Sequence, residues 1–187
     1  MRISSFRFFS IRIQIYLSPG DERYFDRKRG IVPFLWRFDN SRYSSAFASM
    51  VVMVQWEIAE RMTALPNTSV YSSLAVLVQS IADVTIIRRL APTVFWPKPQ
   101  VDSAIVKIVP NPEKRKKVGN VQKFRVFLRD LYSHRRKNLR GALVGWPSGR
   151  REKPDVDRKL AEIGIDGSLR AENLDIDQHL RLCAAFE

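Results

Sequence analysis

Phe95-Trp96-Pro97-Lys98-Pro99-Gln100-Val101-Asp102-Ser103-Ala104 places a rigid turn, an aromatic pair and the start of a strand in one short stretch. Pro97 and Pro99 fix their own φ and drive Trp96 and Lys98 toward extended backbone, so the segment can be neither helix nor slack coil. Phe95 and Trp96 are therefore held on a stiff arm. Beyond it, Val101 to Pro110 reads as a strand, with Ala104, Val106 and Ile108 on one face and Ile105, Lys107 and Val109 on the other. A stiff aromatic loop that runs straight into a strand is how α/β enzymes set a substrate contact at a sheet edge. The same two rings would also serve as a plug between the sheet and a neighbouring helix.

Upstream, Met50-Val51-Val52-Met53-Val54 is a short continuous apolar run, which predicts a strand buried on both faces, as in a parallel sheet. Gln55 to Met62 predicts a helix, with Glu57 and Glu60 in its early turns and Pro66 just past its end. Leu65 to Val70 predicts a loop. Leu74, Leu77, Val78 and Ile81 fall at helical spacing within Tyr71–Ile81, and Val84 to Leu90 is a β-branched run. From Met50 to Val109 the expected order is strand, helix, helix, strand, aromatic loop, strand. That is the second half of an α/β sheet, closed by a hairpin-like strand pair.

Downstream, residues 111–120 carry Pro112, Lys114, Arg115, Lys116, Lys117 and Gly119, which predicts a charged linker at a domain boundary. Phe124, Phe127, Leu128, Leu131, Leu139, Ala142 and Leu143 predict one long amphipathic helix ended by Gly145, Trp146 and Pro147. Arg135, Arg136, Lys137 and Arg140 cluster in its C-terminal half. Val156, Leu160 and Ile163 predict a second helix stopped at Gly164; Ile176, Leu180, Cys183 and Ala184 predict a third, with Asp175 and Gln178 as its capping pair. Four segments result: a basic leader over 1–48, a partial sheet domain over 49–110, a linker over 111–120 and a helical domain over 121–187.

The chain has 187 residues, is 45% hydrophobic and carries a formal charge of +13, with an isoelectric point near 10.4. Such a balance suits a protein that lies on phosphate backbones, and nucleic acid is the leading partner class. Cys183 is the one cysteine, which excludes an internal disulfide and a cysteine metal site and suits a reducing, cytoplasmic compartment. His134 and His179 lie far apart, against a histidine metal centre; no metal ligands are expected. No apolar run nears the roughly 20 residues that cross a bilayer. In the leader, Ile11, Ile13 and Ile15 alternate with Arg12 and Gln14, which predicts one strand. The acid-free, Arg- and Ser-containing first 18 residues also fit an organelle transit peptide.

The motifs resemble the ribosomal RNA adenine N6,N6-dimethyltransferases of the kasugamycin-sensitivity type and, more distantly, the erythromycin-resistance rRNA methylases. Phe95-x-Pro97-x-Pro99-x-Val101-Asp102-Ser103-Ala104 matches that family's Phe-x-Pro-x-Pro-x-Val-Asp-Ser-Ala segment. Gln55-x-Glu57-Ile58-Ala59-x-Arg61 is similar to the turn after its fifth strand, and Tyr71-x-x-Leu74-x-Val76-x-x-Gln79 to its next helix, with Ser72 and Ser73 replacing the usual Gly and Arg. Arg135-Arg136-Lys137-Asn138-Leu139-Arg140 resembles its Arg-Arg-Lys-x-Leu-Arg block, and Arg170-Ala171-Glu172-Asn173-Leu174 its Arg-Ala-Glu-Asn-Leu block. The blocks keep their order across residues 50–187.

The resemblance implies the C-terminal half of a Rossmann-like methyltransferase sheet followed by a small all-helical domain. It implies methyl transfer from S-adenosylmethionine to adenines of small-subunit rRNA, with Phe95, Pro97 and Pro99 gripping a displaced base. Lys98, Arg135, Arg136, Lys137 and Arg140 would contact RNA phosphates, and the partner would be the immature small ribosomal subunit, with no membrane. The departures carry their own expectation. The family's Gly-x-Gly-x-Gly cofactor loop and Asn-Leu-Pro-Tyr motif are not in this sequence, and Asp39-Asn40-Ser41-Arg42-Tyr43 lacks the Leu-Pro pair. The chain is therefore expected to be an N-terminally truncated or altered member that binds no cofactor, has no catalytic residue and is inactive alone. A non-catalytic RNA-binding or ribosome-assembly module is the other reading, and a basic DNA-binding protein the third.

Overall fold

The computed structural model describes residues 3–8, 11–16, 49–146 and 151–186. Strands β1 (Ile3–Phe8) and β2 (Ile11–Tyr16) form an antiparallel pair. The strand expected over Ile11–Ile15 is present, while the rest of the leader, Asp39–Tyr43 included, lies outside the described residues.

The second sheet holds β3 (Met50–Gln55), β4 (Ala82–Leu90) and β5 (Ser103–Pro110) in the order β3-β5-β4. β5 lies between the other two and antiparallel to both, so β3 and β4 point the same way without pairing with each other. The expectation of a strand buried on both faces is corrected here: Met50, Val52 and Val54 are buried, whereas Val51 and Met53 are half-buried. Valine and methionine suit either face, so composition could not reveal that the central neighbour is an antiparallel strand arriving last in the sequence. On β5 the expected face is the buried one, Ala104, Val106 and Ile108. In register, Val52 faces Val106, which faces Ile86 on its other side. Ile87 falls at a register shift in β4 and is exposed.

Helix α1 (Trp56–Thr63) follows β3 directly and buries Ala59 and Met62; α2 (Ser73–Gln79) buries Ala75, Val76, Leu77 and Val78. Gln79 joins the two, its amide donating to the Met62 and Ala64 carbonyls at 3.0 and 2.9 Å. These carbonyls end α1 and have no partner within the helix.

Residues 111–120 are not an irregular linker. Asn111 accepts from the Glu113 and Lys114 amides and starts helix α3 (Pro112–Val118), with Pro112 in the first turn, where its missing N–H costs nothing. Lys114 and Asn111 bind the Asp83 carboxylate at 2.7 and 3.0 Å, which lowers its pKa and fastens α3 to β4.

The long helix expected over Phe124–Leu143 is broken in two. α4 (Val121–Ser133) stops at His134, and Asn138 starts α5 (Leu139–Val144) by accepting from the Gly141 amide at 2.9 Å. A cap competes with helix continuation, and here the asparagine wins. The Leu139 amide donates instead to the Leu169 carbonyl at 2.7 Å. α6 (Lys153–Glu162) ends before Gly164, whose φ of +65° lies in the left-handed region. α7 (Ile176–Phe186) begins with the expected reciprocal pair: the Gln178 amide donates to Asp175 and the Asp175 amide to the Gln178 side chain. Its buried stripe is His179, Leu182, Cys183 and Phe186; Leu180 is half-buried and Ala184 exposed, one helical position off the expectation.

One core runs through all of this. α2 packs against α4 and α7, so the sheet's second helix is also a wall of the helical portion.

Candidate nucleic-acid interface

Residues 91–102 leave the carboxyl end of β4 and return at the start of β5, where Ser103 lies between Gln55 of β3 and Leu90 of β4. The loop therefore stands over the carboxyl ends of two strands that point the same way, the usual place for a ligand in α/β sheets. A single 3-10 turn over Pro92–Val94 opens it, and the Phe95 amide donates to the Pro92 carbonyl at 3.2 Å. Asp102 closes it: its carbonyl accepts from the Trp56 amide at 2.9 Å and its carboxylate from Arg89 Nε at 2.6 Å. The Arg89 guanidinium lies 4.4 Å from the Trp56 ring centre. Trp56, Arg89 and Asp102 thus clasp the base of the loop, and a rigid loop loses less entropy when it takes a ligand.

Within the loop Phe95 and Pro99 are half-buried, whereas Trp96, Pro97 and Lys98 are exposed. Trp96, at 95% exposure, plugs nothing. The Trp96–Pro97 peptide is cis.

The basic residues occupy the turn between α4 and α5 and, with Arg140, the first turn of α5, and they fall into two kinds. Arg135 donates to Glu172 at 2.9 Å and to the Ser69 carbonyl at 2.6 Å; Arg140 binds Asp157 at 2.5 Å. Arg136 and Lys137 are exposed and meet no carboxylate among the described residues. The loop after α1 is stitched to the same place: the Asn67 amide donates to the Glu172 carbonyl and Asn173 to the Asn67 side chain, both at 2.9 Å. Asn67 adopts a φ of +68°, which asparagine tolerates better than most residues. Sequence reasoning missed Asn67, Ser69 and Asp157; an asparagine after a proline was the one available sign. No hydrogen bond or ion pair among the described residues joins this turn to the Phe95 loop.

Behind the turn, His179 is buried with Nδ1 2.7 Å from the Asp175 carbonyl and Nε2 3.3 Å from the Tyr132 hydroxyl. Burial lowers its pKa to about 4, and raises Tyr71 to about 12 and Tyr132 further. At neutral pH these groups are uncharged and serve as packing. Among the described residues no group of three or more potential ligands could hold a metal, and no helix is long and apolar enough to cross a membrane.

The family described as "Ribosomal RNA adenine dimethylase" matches residues 33–187. The chain belongs to this family. Its match begins inside the segment read as a leader, so residues 33–48 share in the likeness. Relatives named "Ribosomal RNA small subunit methyltransferase A" include that of Halothermothrix orenii, 39% identical over 132 residues, or 71% of this chain and 44% of the relative. That of Bacillus pumilus is 35% identical over 71% of this chain and 46% of its own length. The chain spans a little under half the length of these curated relatives. Among solved structures, a dimethyladenosine transferase from Plasmodium falciparum is 26% identical, with a TM-score of 0.65 over 81% of this chain and 60% of that one. The 23S rRNA methyltransferase ErmE shares the fold at 18% identity and a TM-score of 0.53, over 84% and 61%. These neighbours bear out the Rossmann-like assignment.

Members of the family are S-adenosylmethionine-dependent methyltransferases. Among the described residues no glycine-rich loop is present for that cofactor. Residues 49–110, which hold β3 to β5, contain no glycine, and among the described residues the glycines with positive φ, Gly119 and Gly164, lie in the helical portion. Asp102, at the carboxyl ends of β3 and β4, is engaged by Arg89, while Glu57 forms an exposed ion pair with Arg61 one turn along α1.

Proposed function

We propose that this chain serves adenine dimethylation of small-subunit rRNA as its RNA-gripping portion. A clasped proline loop over the strand ends, with Phe95 half-buried within it, is the observation that carries this reading. Chemistry on an exocyclic amine requires the base outside its helix, and a ring on a rigid loop can grip the π face of such a base. Phe95 supplies the ring, Pro97 and Pro99 hold its backbone, and Lys98 meets a neighbouring phosphate.

Arg136 and Lys137 are the phosphate contacts of the helical portion, since their charges are not matched by carboxylates among the described residues. Arg135 and Arg140 hold the turn in place through Glu172, Ser69 and Asp157. The partner is the immature small subunit, in the cytoplasm. Because no described group cradles S-adenosylmethionine, these 187 residues by themselves bind RNA without transferring a methyl group, as a ribosome-assembly module would.

Calorimetry with S-adenosylmethionine, together with tritium-methyl transfer to immature small subunits, tests the division. Negligible cofactor binding, no transfer, and RNA binding weakened in Phe95→Ala are expected. Micromolar cofactor binding with transfer lost in Phe95→Ala would overturn it.

A further inference from the structure

We propose that Trp96 is a second stacking platform, which takes the nucleobase next to the one seated on Phe95. This rests on the RNA-gripping role just given. At 95% exposure Trp96 is far more solvated than the other exposed large apolar side chains described. Its exposure is not that of a frayed end, because the loop is closed on one side by a 3-10 turn and on the other by the Asp102 clasp. Val94 and Val101, flanking it in the same loop, are 62% and 48% exposed. Apolar surface concentrated on a rigid loop marks a contact site.

The backbone assigns the two rings to different bases. Phe95 has φ −118° and ψ 149°, which is extended, and successive side chains on extended backbone leave on opposite sides. Phe95 accordingly turns partly into the protein and Trp96 fully outward. One base cannot stack on both rings, whereas two successive bases of a splayed strand can each take one.

Charge selects RNA over a protein partner. Residues 91–101 contain no acid, Lys98 is exposed two residues from the indole, and the chain carries a net +13. An aromatic face beside cations is the chemistry that binds unstacked bases and their phosphates, and stacking one base on such a ring is worth roughly 5- to 150-fold in affinity.

The test measures binding of the full chain to a short single-stranded RNA with two adjacent adenines, and to two versions with an abasic site at one adenine or the other. Trp96→Ala should weaken binding to the intact RNA by a factor in that range, and Trp96→Phe should restore most of it. On the RNA abasic at one of the two positions, Trp96→Ala should cost nothing further, while Phe95→Ala should show that same insensitivity at the other. Unchanged thermal midpoints exclude misfolding as the cause. Wild-type affinity in Trp96→Ala, or an equal loss on all three RNAs, overturns the proposal. A change in oligomeric state without a change in RNA affinity does so too, by assigning the ring to a protein contact. Loss of the Phe95 coupling alone would refute the Phe95 seat and leave that of Trp96 standing.

Discussion

The basic turn offers a test in which neighbouring cations behave differently. Arg136 and Lys137 meet no carboxylate among the described residues, so each phosphate they neutralise would release condensed counterions; Arg135 and Arg140 already face Glu172 and Asp157. Each phosphate contact contributes about 0.7 to 0.9 to the slope of log affinity against log salt, so Arg136→Ala with Lys137→Ala should reduce the slope by about 1.4 to 1.8. Between about 50 and 200 mM salt the double variant should then lose about 7- to 12-fold less affinity than the wild type. Arg135→Ala with Arg140→Ala should leave the slope nearly unchanged and act on stability instead. Arg135→Ala removes a partly exposed ion pair and a hydrogen bond to the Ser69 carbonyl, at a cost of about 1 to 2 kcal/mol. For a chain of this size that is a drop in midpoint of about 2 to 8 °C. Gel-shift titrations at several salt concentrations, alongside thermal melts of the same samples, give both numbers. Equal slope changes in the two double variants would refute the division of the turn.

Gln79→Leu keeps the bulk of the side chain and removes two hydrogen bonds to the end of α1, so it should destabilise by about 1 to 3 kcal/mol with RNA affinity unaltered, read from urea unfolding and gel shift. His179 has a folded pKa near 4 against about 6.5 when unfolded, so the unfolded chain binds more protons between these values. Stability is therefore fully present above about pH 6.5 and falls as pH drops toward 4, by about 3 kcal/mol from this group. Urea midpoints across that range should slope in wild type and flatten in His179→Gln. Gly164→Ala should cost about 1 kcal/mol, because a Cβ strains the left-handed backbone although no neighbour blocks it.

The elements that could be read from sequence were those whose signal is local. β5 declared both faces by alternation, and Asp175 with Gln178 declared a helix start. Where the deciding interaction was distant, the reading failed. Nothing within Met50–Val54 says that its neighbour is Ser103–Pro110 and antiparallel. At Asn138 a local cap and an amphipathic stripe made opposite claims, and the Leu169 carbonyl, far along the chain, supports the cap. In the site, the Phe95 loop was legible because proline acts on its own neighbours, whereas the anchoring of Arg135 by Ser69 and Glu172 depends on the packed fold.

The strand order has a temporal consequence. β5 is the last strand to emerge during synthesis, and it alone among the described strands pairs with β3 and β4. Until the ribosome has released Ser103–Pro110, β3 and β4 lack the strand that joins them into one sheet, although α1 and α2 are already made and can cover part of their apolar faces. β4 and β5 can then zip across the short proline loop, while Met50 must reach Ile108 by closing a far longer stretch, and closure entropy grows with length. The stiff loop at Phe95 would thus act twice in the life of the chain: first as the hinge that brings the sheet's middle strand home, and only afterwards as the surface proposed for RNA.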